Sequence, residues 1–262
     1  MALLTPEDLA NMTNALVEND RLITELTDYS LDGLCRKIYG TVPRNEKIAI
    51  IPVTAGNGII GSFSESLLFT VQHFGMDGFI TENTDVAGYY EAVTNGADII
   101  LMADDLAYIA HNLRNGKIAH NQICTGRIYA EILCHAKDYA DDKDVLVIGL
   151  GKVGTPALET FLNEKQNVYV FDVDSKRVDE ILTDYPVFKY DPAKEPKSFF
   201  KIFEATPCAD TICESALKEN SIVSTPGIPL GISDELIEKY KVRVVSEPLG
   251  IGTLSMLYDV FD

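Results

Sequence analysis

Two glycine clusters carry the most specific chemistry in this chain. In "VLVIGLGKVG" (residues 145–154), Gly149-x-Gly151-x-x-Gly154 directly follows an apolar run of β type. A helical pattern with Ala157, Leu158 and Leu162 comes next, then a second β-type run ending at Asp172, 23 residues beyond Gly149. This is the full fingerprint of a dinucleotide turn, and each residue type has a task in it. The first glycine makes the turn, the second lets the backbone approach a pyrophosphate, the third lets helix pack on strand, and the helix N-terminus attracts the anion. Gly149, Leu150, Gly151, Lys152, Val153 and Gly154 are therefore expected to hold the pyrophosphate. Asp172 is expected to hydrogen-bond the adenosine ribose and repel a 2′-phosphate, which favours NAD over NADP.

The other cluster, Gly56-x-Gly58-x-x-Gly61 in "TAGNGIIGSFSES", is a looser turn. Val53, Thr54 and Ala55 separate Pro52 from the first glycine, and no acid is cleanly placed after the next strand. It offers instead the polar residues Thr54, Asn57, Ser62, Ser64, Glu65 and Ser66 between a strand end and a helix start, where open α/β sheets bind ligands. This predicts a substrate loop facing the cofactor.

Further polar strand ends read "EATPCAD", "STPGIP" and "SEPLGIG". Thr206, Pro207, Cys208, Thr225 and Pro226 are expected beside the nicotinamide, where Pro and Gly permit close backbone approach. Cys208 has no paired histidine in the sequence pattern and reads as a small thiol rather than a nucleophile. Glu247 is either an anchor for a substrate ammonium or a solvated loop carboxylate. Asp104 and Asp105, just past "ILMA", suit general-base work or an ammonium substrate, with Asp105 alternatively capping a helix that begins "DLAYIAHNL".

The elements that must position these residues follow from periodicity. "TPEDLANMTNALVEND" opens a helix with Thr5 as N-cap and Pro6 at the first helical position, and a second helix is predicted over 31–39, stopped by Gly40 and Pro43. Apolar β-type runs then alternate with helical patterns at 47–53, 78–81 and 98–103, which implies βαβ units and a parallel sheet. A long helix is predicted over 125–140, and "DDKD" at 141–144 is the seam. Beyond it six strands are predicted, at 144–149, 167–172, 187–190, 200–205, 221–225 and 242–247. The expected fold is thus α/β: a Rossmann NAD-binding domain over 143–262 and a smaller N-terminal α/β substrate domain with leading helices over 1–142. The last helix is expected to be able to pack back on the N-terminal lobe.

The 262 residues suffice for two compact cores. No run approaches the roughly 20 apolar residues of a membrane span, and "MALLTPEDL" has no secretory pattern, so a cytoplasmic protein is expected. Forty acidic against 22 basic residues give a net charge of −18, which repels phosphate backbones, argues against nucleic acid as a partner, and favours cationic substrates. Five cysteines without a C-x-x-C pair point to a reducing compartment, and four scattered histidines to no metal site. From the residues alone, an NAD-dependent dehydrogenase of an amino or hydroxy acid and an NAD-sensing module without chemistry both stay open.

Taken together, "TAGNGIIGSFSES", "ILMADD", "HNLRNGKIAHNQICTG", "GLGKVG", "FEATPCADTI", "STPGIP" and "SEPLGIGTLSMLY" resemble the pyrrolysine synthase family over essentially the whole chain. The resemblance implies an NAD-dependent dehydrogenase acting on lysine whose ε-nitrogen is acylated by 3-methyl-D-ornithine. The terminal amine would be oxidised to an imine and then an aldehyde with loss of ammonia, and the α-amine would close onto that carbon to form a pyrroline. It also implies a two-lobed homodimer whose N-terminal helix helps cover the site. By the same resemblance Leu4, Phe63, Ser64, Asp104, Asn121 and Glu247 are substrate contacts; Thr54 and Asn57 are expected beside them from the polar pattern of the first loop. Asp104 is the expected proton acceptor and Glu247 the expected ammonium anchor.

Overall fold

The computed structural model describes residues 6–55, 63–194 and 196–261, with side chains described from residue 14 onwards. Of these, the residues up to Asp20, Tyr29–Thr125 and those from Leu249 on group into one compact unit, and Arg21–Asp28 with Gly126–Pro248 into the other.

The first unit opens with the part of α1 (Pro6–Thr27) up to Asp20, and then α2 (Leu31–Tyr39). The bounds of α2 are the predicted ones because its signals are local. Ser30 Oγ accepts from Gly33 N, and Gly40, at φ +67°, donates its N–H to Arg36 O. The chain continues through β1 (Lys47–Ile51), α3 (Phe63–His73), β2 (Asp77–Ile80), α4 (Asp85–Thr94), β3 (Ile99–Ala103), β4 (Tyr108–Asn112), β5 (Ile118–His120) and the start of α5 (Asn121–Cys134). The sheet order is β2-β1-β3-β4-β5. β1 pairs parallel with β2 and β3, and β4 pairs antiparallel with both β3 and β5.

β4 corrects the expected helix at "DLAYIAHNL", and with it the expected capping role of Asp105. The segment pairs with β3 from Ile99↔Asn112 to Ala103↔Tyr108, so ladder formation overrides a locally helical pattern. The long helix expected over 125–140 is likewise shorter and earlier: α5 ends at Cys134, and a separate 3-10 turn covers Lys137–Tyr139.

The second unit carries β6 (Asp144–Ile148), α6 (Gly154–Asn163), β7 (Asn167–Phe171), α7 (Ser175–Asp184), β8 (Phe188–Lys189), β9 (Phe199–Glu204), β10 (Leu217–Ser224), α8 (Asp234–Tyr240) and β11 (Arg243–Val245). All its strand pairs are parallel, in the order β11-β10-β9-β6-β7-β8. This is the doubly wound arrangement, with the order reversing between β6 and β9. Helices cover both faces of such a sheet, so its strands read as near-continuous apolar runs: Val145, Leu146, Val147, Ile202, Phe203, Ile222 and Val223 are fully buried.

The last helix, α9 (Gly250–Val260), belongs to the first unit and packs on α2, α3, β4 and β5. Every residue of it except Asp259 is buried, as a helix apolar on all sides must be. Its first turn has glycines because neighbours come too close for anything else. A Cβ on Gly250 would lie 2.8 Å from Leu16 Cδ2, and one on Gly252 would lie 2.3 Å from Thr125 Oγ1.

Candidate functional site

In the second unit, the strand ends form a cradle at the sheet's carboxyl edge. Gly149 ends β6 at φ +87°, donates its N–H to Phe171 O at 2.9 Å, and has Ala205 O and Thr206 Cγ2 only 2.8 and 2.9 Å from where a Cβ would stand. A Cβ on Gly154 would sit 1.8 Å from Gly149 O, so the third glycine is required by the loop closing on itself. Gly151 is different: the nearest atom to its absent Cβ is Arg177 Nη1 at 3.9 Å, so nothing inside the protein demands a glycine there. Open space above a backbone that lacks a side chain is what a bound pyrophosphate would use.

α6 begins at Gly154 without a side-chain cap; Thr155 N and Ala157 N donate to Gly151 O and Val153 O at 3.0 and 3.3 Å and Pro156 has no N–H, so what the helix start offers an anion is its dipole rather than a row of free amides. Asp172, just past β7, takes Leu150 N on Oδ2 at 2.7 Å and Asp174 N on Oδ1 at 2.9 Å. Its carboxylate is therefore fixed beside the glycine turn, with Arg177 Nη1 3.9 Å from Oδ2. These residues fit a dinucleotide: a backbone cradle, a helix N-terminus and an oriented acid. Gly126 of α5 supports the turn, since a Cβ there would lie 2.2 Å from Val153 O.

On the other side of the strand-order reversal, Thr206 and Thr225 both donate their hydroxyls to Glu204, at 2.5 and 2.9 Å. Pro226 is buried, while Pro207 and Cys208 are exposed. Sequence reasoning missed Glu204; its signal was a lone acid closing the apolar run "FKIFE". Glu247 is 1% exposed, so it is not a solvated loop carboxylate. Its backbone is gripped by the Tyr129 hydroxyl, which donates to Glu247 O and accepts from Glu247 N at 2.9 Å. Burial, with the Glu247 charge nearby, pushes the Tyr129 phenol well up, so it stays a donor throughout the working range. Tyr129→Phe leaves both backbone groups buried without their partner, and thermal melts are expected to register a loss of about 1–3 kcal/mol.

In the first unit, the order reverses between β1 and β3, and the expected substrate residues follow these strands or their neighbours at the same edge. Thr54 lies three residues past β1, Asp104 follows β3, Tyr108 opens β4 opposite Ala103, and Asn121 follows β5. Thr54 is engaged in a turn: its N–H and hydroxyl both donate to Asp85, at 2.9 and 2.6 Å, and these bonds hold the Asp85 carboxyl below its usual range. Asp104 is exposed, and its Oδ1 accepts from Leu106 N and Ala107 N at 2.8 and 2.7 Å, so Asp104 rather than Asp105 shapes the β3–β4 turn.

Phe63 stacks edge-on against Tyr108 at 6.0 Å between centroids, and the Tyr108 hydroxyl meets Thr253 Oγ1 at 2.8 Å. Ser64 is buried at the start of α3. Asn121 is nearly buried, with Nδ2 3.4 Å from Met256 Sδ. The first turns of α9 thus bring Phe63, through Tyr108, and Asn121 onto one helix. Leu4 and Asn57, with Thr5, Gly56, Gly58 and Gly61, lie outside the described residues.

This fold, a doubly wound parallel sheet with a dinucleotide-type turn and a second α/β unit in the same chain, is that of the shikimate dehydrogenase-like Rossmann enzymes. The structure is similar to shikimate 5-dehydrogenase from Thermus thermophilus in complex with shikimate, with TM-score 0.52 and 12% identity over 81% of this chain and 90% of that one. It is also similar to quinate dehydrogenase from Corynebacterium glutamicum in complex with NAD, with TM-score 0.52 and 10% identity over 82% and 92%. In sequence, residues 8–119 match the family model described as pyrrolysine biosynthesis protein PylD, N-terminal domain. The chain is 54% identical to the pyrrolysine synthase of Methanosarcina barkeri over 99% of its length and 98% of that protein, and 54% identical to that of Methanosarcina acetivorans over 99% and 100%. The chain belongs to the pyrrolysine synthase family.

Proposed function

We propose that this chain is an NAD-dependent amine dehydrogenase that makes the pyrroline ring of pyrrolysine from lysine acylated on its ε-nitrogen by 3-methyl-D-ornithine. The terminal amine becomes an imine, water converts the imine to an aldehyde with release of ammonia, and the α-amine condenses with the aldehyde, losing water. Bound NAD supplies the hydride acceptor. The observation that carries this reading is the whole-length identity to pyrrolysine synthases; the cradle at Gly149–Gly154 with Asp172 supports the cofactor.

The chain's own residues have the remaining tasks. Carbon gives up a hydride only when the attached nitrogen has a free lone pair, so the terminal ammonium must first lose a proton. Asp104 takes that proton through Oδ2, directly or through water, while Oδ1 keeps the turn. Glu247, buried and fixed by its backbone, anchors an ammonium group, and Phe63, Ser64 and Asn121 shape the pocket for the rest of the substrate. Asp172 accepts the ribose hydroxyl and selects NAD. The protein is proposed to act as a cytoplasmic homodimer.

Absorbance of NADH after mixing the protein with NAD and synthetic Nε-D-ornithyl-L-lysine tests this directly, with free lysine and ornithine as controls. NADH is expected only with the conjugate, alongside a product lighter by two hydrogens and one ammonia. NADH binding without any NADH formation from the conjugate would instead favour a sensing role.

A further inference from the structure

Glu204 closes β9 fully buried, and among the described residues no cation pairs with it. Its carboxylate is held by hydroxyls and one amide. Oε1 accepts from Thr206 N at 2.8 Å, Thr206 Oγ1 at 2.5 Å and Thr211 Oγ1 at 3.0 Å, and Oε2 accepts from Thr225 Oγ1 at 2.9 Å. Four donors converge on a group that, when ionised, only accepts. The loop after β10 is moulded to it: a Cβ on Gly231 would lie 2.4 Å from Oε2, and one on Gly227 would lie 2.9 Å from Thr206 O. The same loop returns Gly231 O to Ile212 N at 2.9 Å, closing the two loops on each other.

Two features set this carboxylate apart from an ordinary core bracket. β9 and β6 flank the point where strand order reverses, so the loops that Glu204 ties border the crevice in which a doubly wound sheet binds its dinucleotide. The Thr206 methyl stands 2.9 Å from the Cβ position of Gly149, so its placement also limits the glycine turn across that crevice. Displacing Thr206 therefore alters both walls.

We propose that Glu204 is a positioning residue for the cofactor: it holds Thr206 and Thr225 in the arrangement that receives the nicotinamide-riboside half of the dinucleotide. This rests on the NAD reading above. An apolar group of similar length would leave four donors unpaired and let the loops move apart. A glutamine would keep one acceptor oxygen for the Thr206 and Thr211 donors, while the Thr225 hydroxyl could turn to accept from the amide, so it should rescue in part.

The test is NADH binding by fluorescence titration, together with separate KM values for NAD and for the conjugate, in the wild type, Glu204→Met, Glu204→Gln and Thr225→Val. The expected result is Kd for NADH and KM for NAD raised at least about tenfold by Glu204→Met and less by Glu204→Gln and Thr225→Val, with KM for the conjugate unchanged. If Glu204→Met does not fold, the other two variants decide. Wild-type NADH affinity in every variant that folds would overturn the proposal, as would equal shifts in both KM values. A wild-type protein that binds no NADH would overturn the NAD reading itself, and this proposal with it.

Discussion

Asp104→Asn is expected to fold as the wild type does and to turn over the conjugate at least about 10²-fold more slowly, the lower end of what a positioned general base contributes. The substitution separates two jobs that one side chain performs. The asparagine oxygen still accepts from Leu106 N and Ala107 N, so the β3–β4 turn survives, while the oxygen that would take a proton becomes a neutral amide. Melting should therefore agree with the wild type to within about 0.5 kcal/mol. Asp104→Ala removes the turn bonds as well and should lose stability together with activity, which is why asparagine is the informative variant. Wild-type turnover by Asp104→Asn at every pH would remove Asp104 from the proton-accepting role and leave Glu247 as the remaining carboxylate of the two.

The second large effect concerns two glycines three residues apart that should fail in opposite ways. Gly151→Ala places a methyl in open space, 3.9 Å from the nearest neighbour, so the chain should fold normally. That space is where a pyrophosphate would meet the backbone, and NADH binding should weaken at least roughly tenfold. Gly154→Ala drives a methyl to 1.8 Å from Gly149 O, a backbone atom that cannot swing away. There the cost falls on folding, about 3 kcal/mol or more at the upper end of overpacking effects. Thermal melts and fluorescence titration of both variants read the contrast. Normal NADH affinity in Gly151→Ala would mean that the ligand does not lie over that backbone.

The sequence alone determined whatever depends on neighbours along the chain. The bounds of α2 follow from Ser30 and Gly40 because capping bonds span three or four residues. The glycine turn between β6 and α6 was legible because strand, glycines, helix and Asp172 all fall within one βαβ unit, and a parallel strand buried on both faces leaves an unbroken apolar run.

Tertiary structure decided what depends on partners far away in sequence. "AYIAHN" fits a helix or a strand by its own pattern, and pairing with β3 made it a strand. Beside that same ladder Asp104 shapes the turn, and Asp105 is left without the expected capping role. That Thr54 gives both its donors to Asp85, 31 residues on, could be settled only by the fold. Glu204, marked only as an acid closing an apolar run, and Tyr129 were missed because their importance lies in what they hold: Thr225 is 21 residues from Glu204, and Glu247 is 118 from Tyr129. Local bonds are written in local sequence, whereas the pairing of buried polar groups is settled only when the chain has brought them out of water together.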